Sequence, residues 1–152
     1  MKKIITLLFL TAISIASCKD DEKSNDTPTK TTIKTFDNVK VAFGDGLSQS
    51  AEGTFTFPTN TEDIKTIKMY IKDICPNKDC DEWDRYANLY VKDKTSGKWY
   101  ELGRFINPYW VGNEKLARGY EIDVTDFKSI LSGSTELKIY TETWNAKGRK
   151  YT

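Results

Sequence analysis

Alternation of apolar and polar residues in short runs is the strongest constraint on the fold of this chain. In Arg85–Lys92, residues 87, 89 and 91 form one apolar face, and residues 67, 69 and 71 do the same in Ile67–Lys72. A period of two over such lengths predicts half-buried β-strands. The other runs with strand character are Val39–Phe43, Gly53–Phe57, Lys98–Ile106, Tyr120–Val124 and Thr135–Trp144.

Turn signals and one helical segment separate these runs. The sequence Asp93–Gly97 predicts a hairpin turn with Gly97 at a positive φ. Thr125 is predicted to cap a short helix. Many strands with frequent turns and a single short helix predict an all-β, antiparallel sandwich. The helical pattern also places Asp126 in the first turn, Phe127, Ile130 and Leu131 on the inward face, and Gly133 past the end.

The first 32 residues have a different composition from the rest. A basic start is followed by a mostly apolar run over 4–15, which is too short to span a bilayer as a mature helix. Small residues then precede Cys18, which predicts a lipoprotein signal over 1–17 and a lipid on Cys18. An ordinary secretory signal with a chance cysteine is the alternative.

Residues 18–32 are predicted to be a flexible tether. Lys19–Thr32 contains no apolar residue, so it cannot bury enough surface to offset its ordering entropy. Its acidic run resembles the surface-export signals of bacterial lipoproteins. We therefore expect an exported lipoprotein at the outer membrane or cell surface, held to the membrane through Cys18, with one folded domain over 33–152.

Charge and cysteine usage exclude several function classes. The formal net charge of +1 gives no indication of nucleic-acid binding. With Cys18 assigned to the lipid, Cys75 and Cys80 remain as a pair, and export predicts that they form a disulfide. Metal ligation by this pair is the alternative, but the chain has no histidine and no further cysteine to complete a site. The lack of histidine also excludes a Ser-His or Cys-His nucleophile, and we expect neither metal nor cofactor.

Two short stretches carry the candidate chemistry. The run Cys75–Tyr86 contains two cysteines, four acidic residues, a Trp and an Arg, and it places a carboxylate at the start of a predicted strand. In the last predicted strand, Glu142 and Trp144 share one face about 7 Å apart. A carboxylate beside an indole is suited to a sugar site. The alternatives are a solvated surface loop and an ordinary exposed strand end.

Four runs resemble the amino-terminal half of the peptide-N-glycosidase F family. They are CDEWDRYANLYVK, GKWYELGRFINPYWVG, GYEIDVTDFKSILSG and TELKIYTETWNAKGRKY, and the resemblance extends from near Ile33 to the last residues. That family of bacterial amidases removes N-linked glycans from asparagine. The resemblance implies a jelly-roll sandwich, the first of two that lie side by side. It also implies hydrolysis of the bond between N-linked GlcNAc and asparagine in glycoproteins or glycopeptides, which leaves aspartate.

The resemblance also implies roles for individual residues. Asp84 matches the main catalytic carboxylate and Glu142 a supporting one, and no cofactor is required. Arg85, Trp83 and Trp144 are expected to bind the glycan, and Arg85 is further expected to keep Asp84 ionised by charge pairing. Carboxylates in unlike environments can divide acid and base roles. We expect the carboxylates of Asp84 and Glu142 to lie within about 10 Å of each other on one surface.

Members of this family carry a second sandwich, and their site lies between the two. The resemblance therefore implies that a second jelly-roll domain completes the site, that the domain over 33–152 is incomplete at its carboxyl end, and that this chain alone is inactive. A different class of function remains open, namely a surface lipoprotein that binds glycans without cleaving them. An inactive truncated gene product is the further alternative.

Overall fold

The computed structural model describes residues 29–75, 80–109 and 119–152. Contacts divide the chain into Met1–Thr31 and Thr32–Thr152. In the first unit only residues 29–31 are described, and they form neither strand nor helix. The predicted signal over 1–17, Cys18 and most of the predicted tether thus lie outside the described residues.

The second unit is built from antiparallel strands, which confirms the predicted all-β class. In the part of the chain that the structure describes, no helix is long and apolar enough to cross a membrane. The strands are β1 Val39–Val41, β2 Ser50–Thr56, β3 Lys68–Ile71, β4 Asp73–Ile74, β5 Arg85–Lys92, β6 Trp99–Asn107, β7 Tyr120–Asp123, β8 Ser134–Thr141 and β9 Arg149–Tyr151.

The strands form three sheets. The largest has the order β2-β8-β5-β6, a second has the order β1-β9-β4, and β3 pairs with β7. Gly103 of β6 shows how closely these sheets pack, because a Cβ at this position would lie 2.7 Å from the Ile122 side chain and 3.3 Å from that of Met69. The pair β3-β7 therefore lies directly on the inner face of the four-stranded sheet.

The alternating pattern identified the core correctly. β5 has its predicted bounds, and its residues Ala87, Leu89 and Val91 are buried. In β8, Leu137 and Ile139 are buried as expected, but the strand ends at Thr141 and not at residue 144. The buried core also includes Phe36, Val41, Ile71, Leu102, Phe105, Val124, Leu131 and Tyr151.

The predicted hairpin turn is confirmed. Gly97 has a φ of 68° and donates its backbone N–H to the Asp93 carbonyl at 2.8 Å, which joins β5 to β6. The predicted helix cap is wrong, because the 3₁₀ helix Thr125–Phe127 begins one residue earlier, with its N-cap at Val124. The Thr125 hydroxyl instead accepts the Ile67 backbone N–H at 2.9 Å, which ties the helix to the residue that precedes β3.

Candidate functional site

Strands β5 and β8 bring the two predicted catalytic carboxylates to the same end of the four-stranded sheet. β5 begins directly after Asp84, and β8 ends directly before Glu142. The two strands are antiparallel neighbours with Ala87 opposite Thr141. Residues just before β5 and just after β8 must then lie side by side. The expected separation of about 10 Å between the two carboxylates stays a prediction.

The side chain of Glu142 belongs to the outer face of this sheet. Ala87 and Thr141 are both fully buried, so alternation turns Tyr86 and Glu142 to the opposite face. The ring of Tyr86 lies 6.1 Å from that of Tyr140, also on the outer face. Burial raises the pKa of Tyr140, and a hydrogen bond with Tyr86 and the charge of Glu142 raise it further. A carboxylate and two phenols thus share the outer face at this end of the sheet.

A disulfide holds the segment that leads into β5. Cys75 and Cys80 are bonded with their Cα atoms 5.3 Å apart, which confirms the predicted pairing. Asp81 follows immediately, and its backbone N–H donates to the Gly148 carbonyl at 2.7 Å. The chain before Asp84 is therefore fixed both by a covalent bond and by the loop that precedes β9.

The buried carboxylate of Asp81 is the electrostatic centre of this segment. Its Oδ2 accepts hydrogen bonds from Arg85 Nε and Thr143 Oγ1, both at 2.7 Å, and its Oδ1 accepts the Trp83 backbone N–H at 3.2 Å. Burial alone would raise the pKa of Asp81, but these three hydrogen bonds outweigh it and hold the pKa below its usual range. Asp81 is thus an ionised structural residue that orients the next four positions.

The expected charge pair between Arg85 and Asp84 is wrong. Arg85 lies on the inner side of β5 and pairs with Asp81, since alternation points residues 84 and 85 in opposite directions. Asp84 is exposed, and no ion pair within the described part of the chain involves it. The Arg85 side chain keeps 20% of its surface exposed. No described residue accepts a hydrogen bond from its Nη atoms, which leaves them available to a ligand.

Two aromatic pairs flank this end of the sheet. The Trp83 indole is 51% exposed. Its ring centroid lies 5.9 Å from that of Tyr109, and the two ring planes make an angle of 61°. The Trp144 indole is 57% exposed and contacts the Phe43 ring at 5.3 Å. Tyr109 follows β6 and Phe43 precedes β2, so the pairs lie towards the two outer strands of the order β2-β8-β5-β6. The exposed faces of the Trp83 and Trp144 indoles can each stack on a sugar ring.

Sequence reasoning did not single out Tyr109 and Phe43. The signal for Tyr109 was available in the hairpin, because pairing of Arg85 with Asn107 places residues after β6 beside those before β5. Phe43 had no such local signal. It is held by a backbone hydrogen bond from its N–H to the Asn145 carbonyl at 3.0 Å, a contact across 102 residues of sequence (145 minus 43).

Comparison with known proteins agrees with this architecture. Over 119 residues, 78% of its length, the chain is 79% identical to the peptide-N(4)-(N-acetyl-β-D-glucosaminyl)asparagine amidase F of Elizabethkingia miricola. Over these residues the chain is closely similar to peptide-N-glycosidase F. The chain spans 34% of the length of that curated relative. No protein-family model matches the chain.

Solved structures of peptide-N-glycosidase F show the same fold. A crystal structure of the asparagine amidase superimposes with a TM-score of 0.76 at 79% identity, covering 78% of this chain and 38% of the other. The glycosylasparaginase PNGase F from Flavobacterium meningosepticum gives a TM-score of 0.75 with the same identity and coverage. The sandwich described here thus corresponds to somewhat more than a third of those chains.

Proposed function

We propose that this chain supplies the first sandwich of a peptide-N-glycosidase F-type amidase. The reaction is hydrolysis of the bond between the GlcNAc of an N-linked glycan and the asparagine side chain, which leaves aspartate. The observation that carries the proposal is the register of β5 and β8, which puts Asp84 and Glu142 at one sheet end. The 79% identity to a named asparagine amidase supports the reaction class.

The chemistry needs a positioned water, a base that takes its proton and a donor for the leaving nitrogen. Asp84 is exposed and follows a rigidly held segment, so it can orient and activate a water. Glu142 is partly buried beside Tyr86 and acts as the supporting carboxylate. Carboxylates in unlike surroundings can take different protonation states at one pH. This reaction requires no metal or organic cofactor.

The glycan would be held by the groups around the two carboxylates. The exposed indoles of Trp83 and Trp144 offer flat apolar faces for the core sugars. Arg85 offers its Nη donors to sugar oxygens while its Nε stays bonded to Asp81. Asp81 therefore acts on the ligand only through Arg85.

A second sandwich is expected to form the other wall of the site. A single wall orients the sugar poorly, and orientation can contribute several kcal/mol to catalysis. An open site also leaves the carboxylates in contact with bulk water, where charges stabilise a transition state less. We therefore expect no glycan release by the 152-residue chain alone.

The test is a chimera of the Elizabethkingia miricola amidase in which the matched 119 residues are replaced by those of this chain. Its activity is measured as the mobility shift of a denatured N-glycoprotein, with the released glycan confirmed by mass. The chimera should cleave, Asp84→Asn should abolish cleavage, and Glu82→Gln is the matched control because it removes an exposed carboxylate of the same motif.

Each arm of this experiment can refute part of the proposal. Full activity of Asp84→Asn would refute the assignment of the catalytic residue. Glycan release by the isolated chain would refute the need for a second wall. A folded chimera that binds glycan without cleaving it would support the alternative of a glycan-binding lipoprotein, which the two exposed aromatic pairs favour.

We also propose that Cys18 is the lipidated first residue of the mature protein and places the domain at the outer membrane or cell surface. The support is the sequence that precedes it, Ile15–Ser17, after an apolar run. Globomycin should cause unprocessed precursor to accumulate. A Cys18→Ala form that still reaches the membrane would contradict the proposal.

A further inference from the structure

Arg149 of β9 is a buried cation that connects three separate segments. Its surface is only 1% exposed. Nη1 donates to Oδ2 of Asp73 at 3.3 Å, and Nη2 donates to the carbonyl oxygens of Trp83 at 3.2 Å and of Pro108 at 2.8 Å. The guanidinium therefore touches β4, the segment before β5 and the segment after β6.

We propose that Arg149 is a positioning residue for the candidate site, an inference that rests on the proposed function. One nitrogen atom, Nη2, binds both the carbonyl of Trp83 and the carbonyl that immediately precedes Tyr109. The rings of these two aromatic residues contact each other at 5.9 Å. Asp84 is the residue that follows the bound Trp83 carbonyl. Arg149 thus fixes the position of the Trp83–Tyr109 ring pair and of the peptide bond between Trp83 and Asp84.

The placement of Arg149 is itself rigid. It pairs with Val41 in the register of β1 and β9, and β9 is the central strand of its sheet. Asp73 compensates the buried charge from the other side through β4, which also pairs with β9. A guanidinium is a planar fork with fixed angles between its donors, whereas the ammonium of lysine is a point charge. Arginine is therefore the side chain suited to hold two backbone carbonyls and a carboxylate together.

A purely structural role for Arg149 makes a different prediction. Replacing a buried ion pair by apolar residues of similar volume often preserves stability. If Arg149 only stabilises the core, Asp73→Leu/Arg149→Met should leave the rest of the domain unchanged. If Arg149 positions Trp83, the same double variant should remain folded but release the segment that carries Trp83 and Asp84.

Amide hydrogen exchange measured by NMR on the chain separates these two cases. The Trp83 amide is bonded to Asp81, so its exchange reports opening of this segment. We expect this amide to exchange at least about tenfold faster in the double variant, while the amide of Leu89 in β5 is unchanged. Tyr151→Phe is the matched control, because it alters the same buried strand without removing a contact to Trp83.

The exchange experiment decides the proposal in either direction. Unchanged exchange at Trp83 in a folded double variant would overturn it. If the double variant does not fold, Arg149→Lys takes its place, because lysine keeps a cation beside Asp73 but cannot reproduce the fork. Faster exchange at Trp83 in Arg149→Lys would then support the proposal, and wild-type exchange would refute it.

Activity of the chimera provides a second readout. Arg149→Lys should lower kcat/KM at least about tenfold. The control Tyr151→Phe should lower the melting temperature by at least as much as Arg149→Lys does, so that a loss of stability alone does not account for the lower kcat/KM. An active chimera whose kcat and KM are unaffected by Arg149→Lys would overturn the positioning role. An inactive chimera would instead refute the proposed function, and the exchange of Trp83 would still decide whether Arg149 holds the segment.

Discussion

The backbone N–H of Glu142 donates to the carbonyl oxygen of Tyr86 at 3.1 Å, one residue beyond the regular pairing of β8 with β5. This bond places Glu142 directly opposite Tyr86, and Asp84 lies two residues before Tyr86. If the chain stays extended to Asp84, the two carboxylates are diagonal neighbours on one face, with a spacing of about 7–8 Å between their backbones. That spacing leaves room for a water between them.

Glu142→Gln should lower kcat of the chimera about 100-fold, because the amide keeps the shape of the side chain but removes its charge and its ability to exchange a proton. Glu136→Gln is the matched control. Glu136 lies on the same face of β8 and pairs with Lys92 at the far end of the strand. Equal activity of the two variants would show that Glu142 has no part in the reaction.

Removing the disulfide with Cys75→Ser/Cys80→Ser should lower the free energy of unfolding by about 2 kcal/mol, since the bond closes a short loop. Urea denaturation of the chain measures this loss. Treatment of the unmodified chain with a reducing agent should give the same loss and should leave the double variant unchanged. A double variant as stable as the unmodified chain would contradict this prediction.

Asp73 should make stability depend on pH. Burial raises the pKa of Asp73 to about 6, although Arg149 partly opposes the shift. The folded state then binds a proton more tightly than the unfolded state, so this group stabilises the fold below about pH 4 and loses that contribution as the pH rises through 6.

The stability difference between the chain and Asp73→Asn should therefore fall by about 2 kcal/mol between pH 4 and pH 7. Urea denaturation at several pH values measures it, and the other carboxylates cancel because both proteins contain them. A difference that does not change with pH would show that folding does not raise the pKa of Asp73.

Asp81 should have the opposite pH dependence. Its pKa is held below the usual carboxyl range, so its contribution is present near neutral pH and is lost as the pH falls through the folded-state value. Asp81→Asn should lower the free energy of unfolding at pH 7 by about 3 kcal/mol, because it leaves Arg85 without its partner. Asp93→Asn, in an exposed turn, is the control. A smaller loss from Asp81→Asn than from this control would contradict the structural role of Asp81.

The sequence predicted the elements whose signal is local. β5 was predicted with its observed bounds, because Ala87, Leu89 and Val91 alternate with polar residues over the full strand. The pairing of Cys75 with Cys80 followed from their spacing and from the expectation of export. The same period-two rule placed Glu142 on the outer face beside Tyr140, and the charge of Glu142 contributes to the raised pKa of that tyrosine.

Contacts between distant residues were not predictable in this way. β4 and β9 were missed because they contain only two and three residues, too few to show a period of two, and each carries a buried charge, Asp73 or Arg149. The partner of Arg85 was assigned wrongly because sequence neighbours suggested Asp84. The actual partner, Asp81, is held inside by Thr143, which lies 62 residues later.

The long sequence separation between Arg149 and its partners has a consequence for folding. Its partners Asp73, Trp83 and Pro108 precede it by 76, 66 and 41 residues. Each of these contacts closes a long loop, and the entropic cost of closing a loop rises with its length. Before β9 docks, the carboxylate of Asp73 lacks its ion-pair partner, and neither β1 nor β4 has a neighbour in this sheet. We therefore expect the Trp83 segment to become fixed late in folding, when β9 docks between β1 and β4.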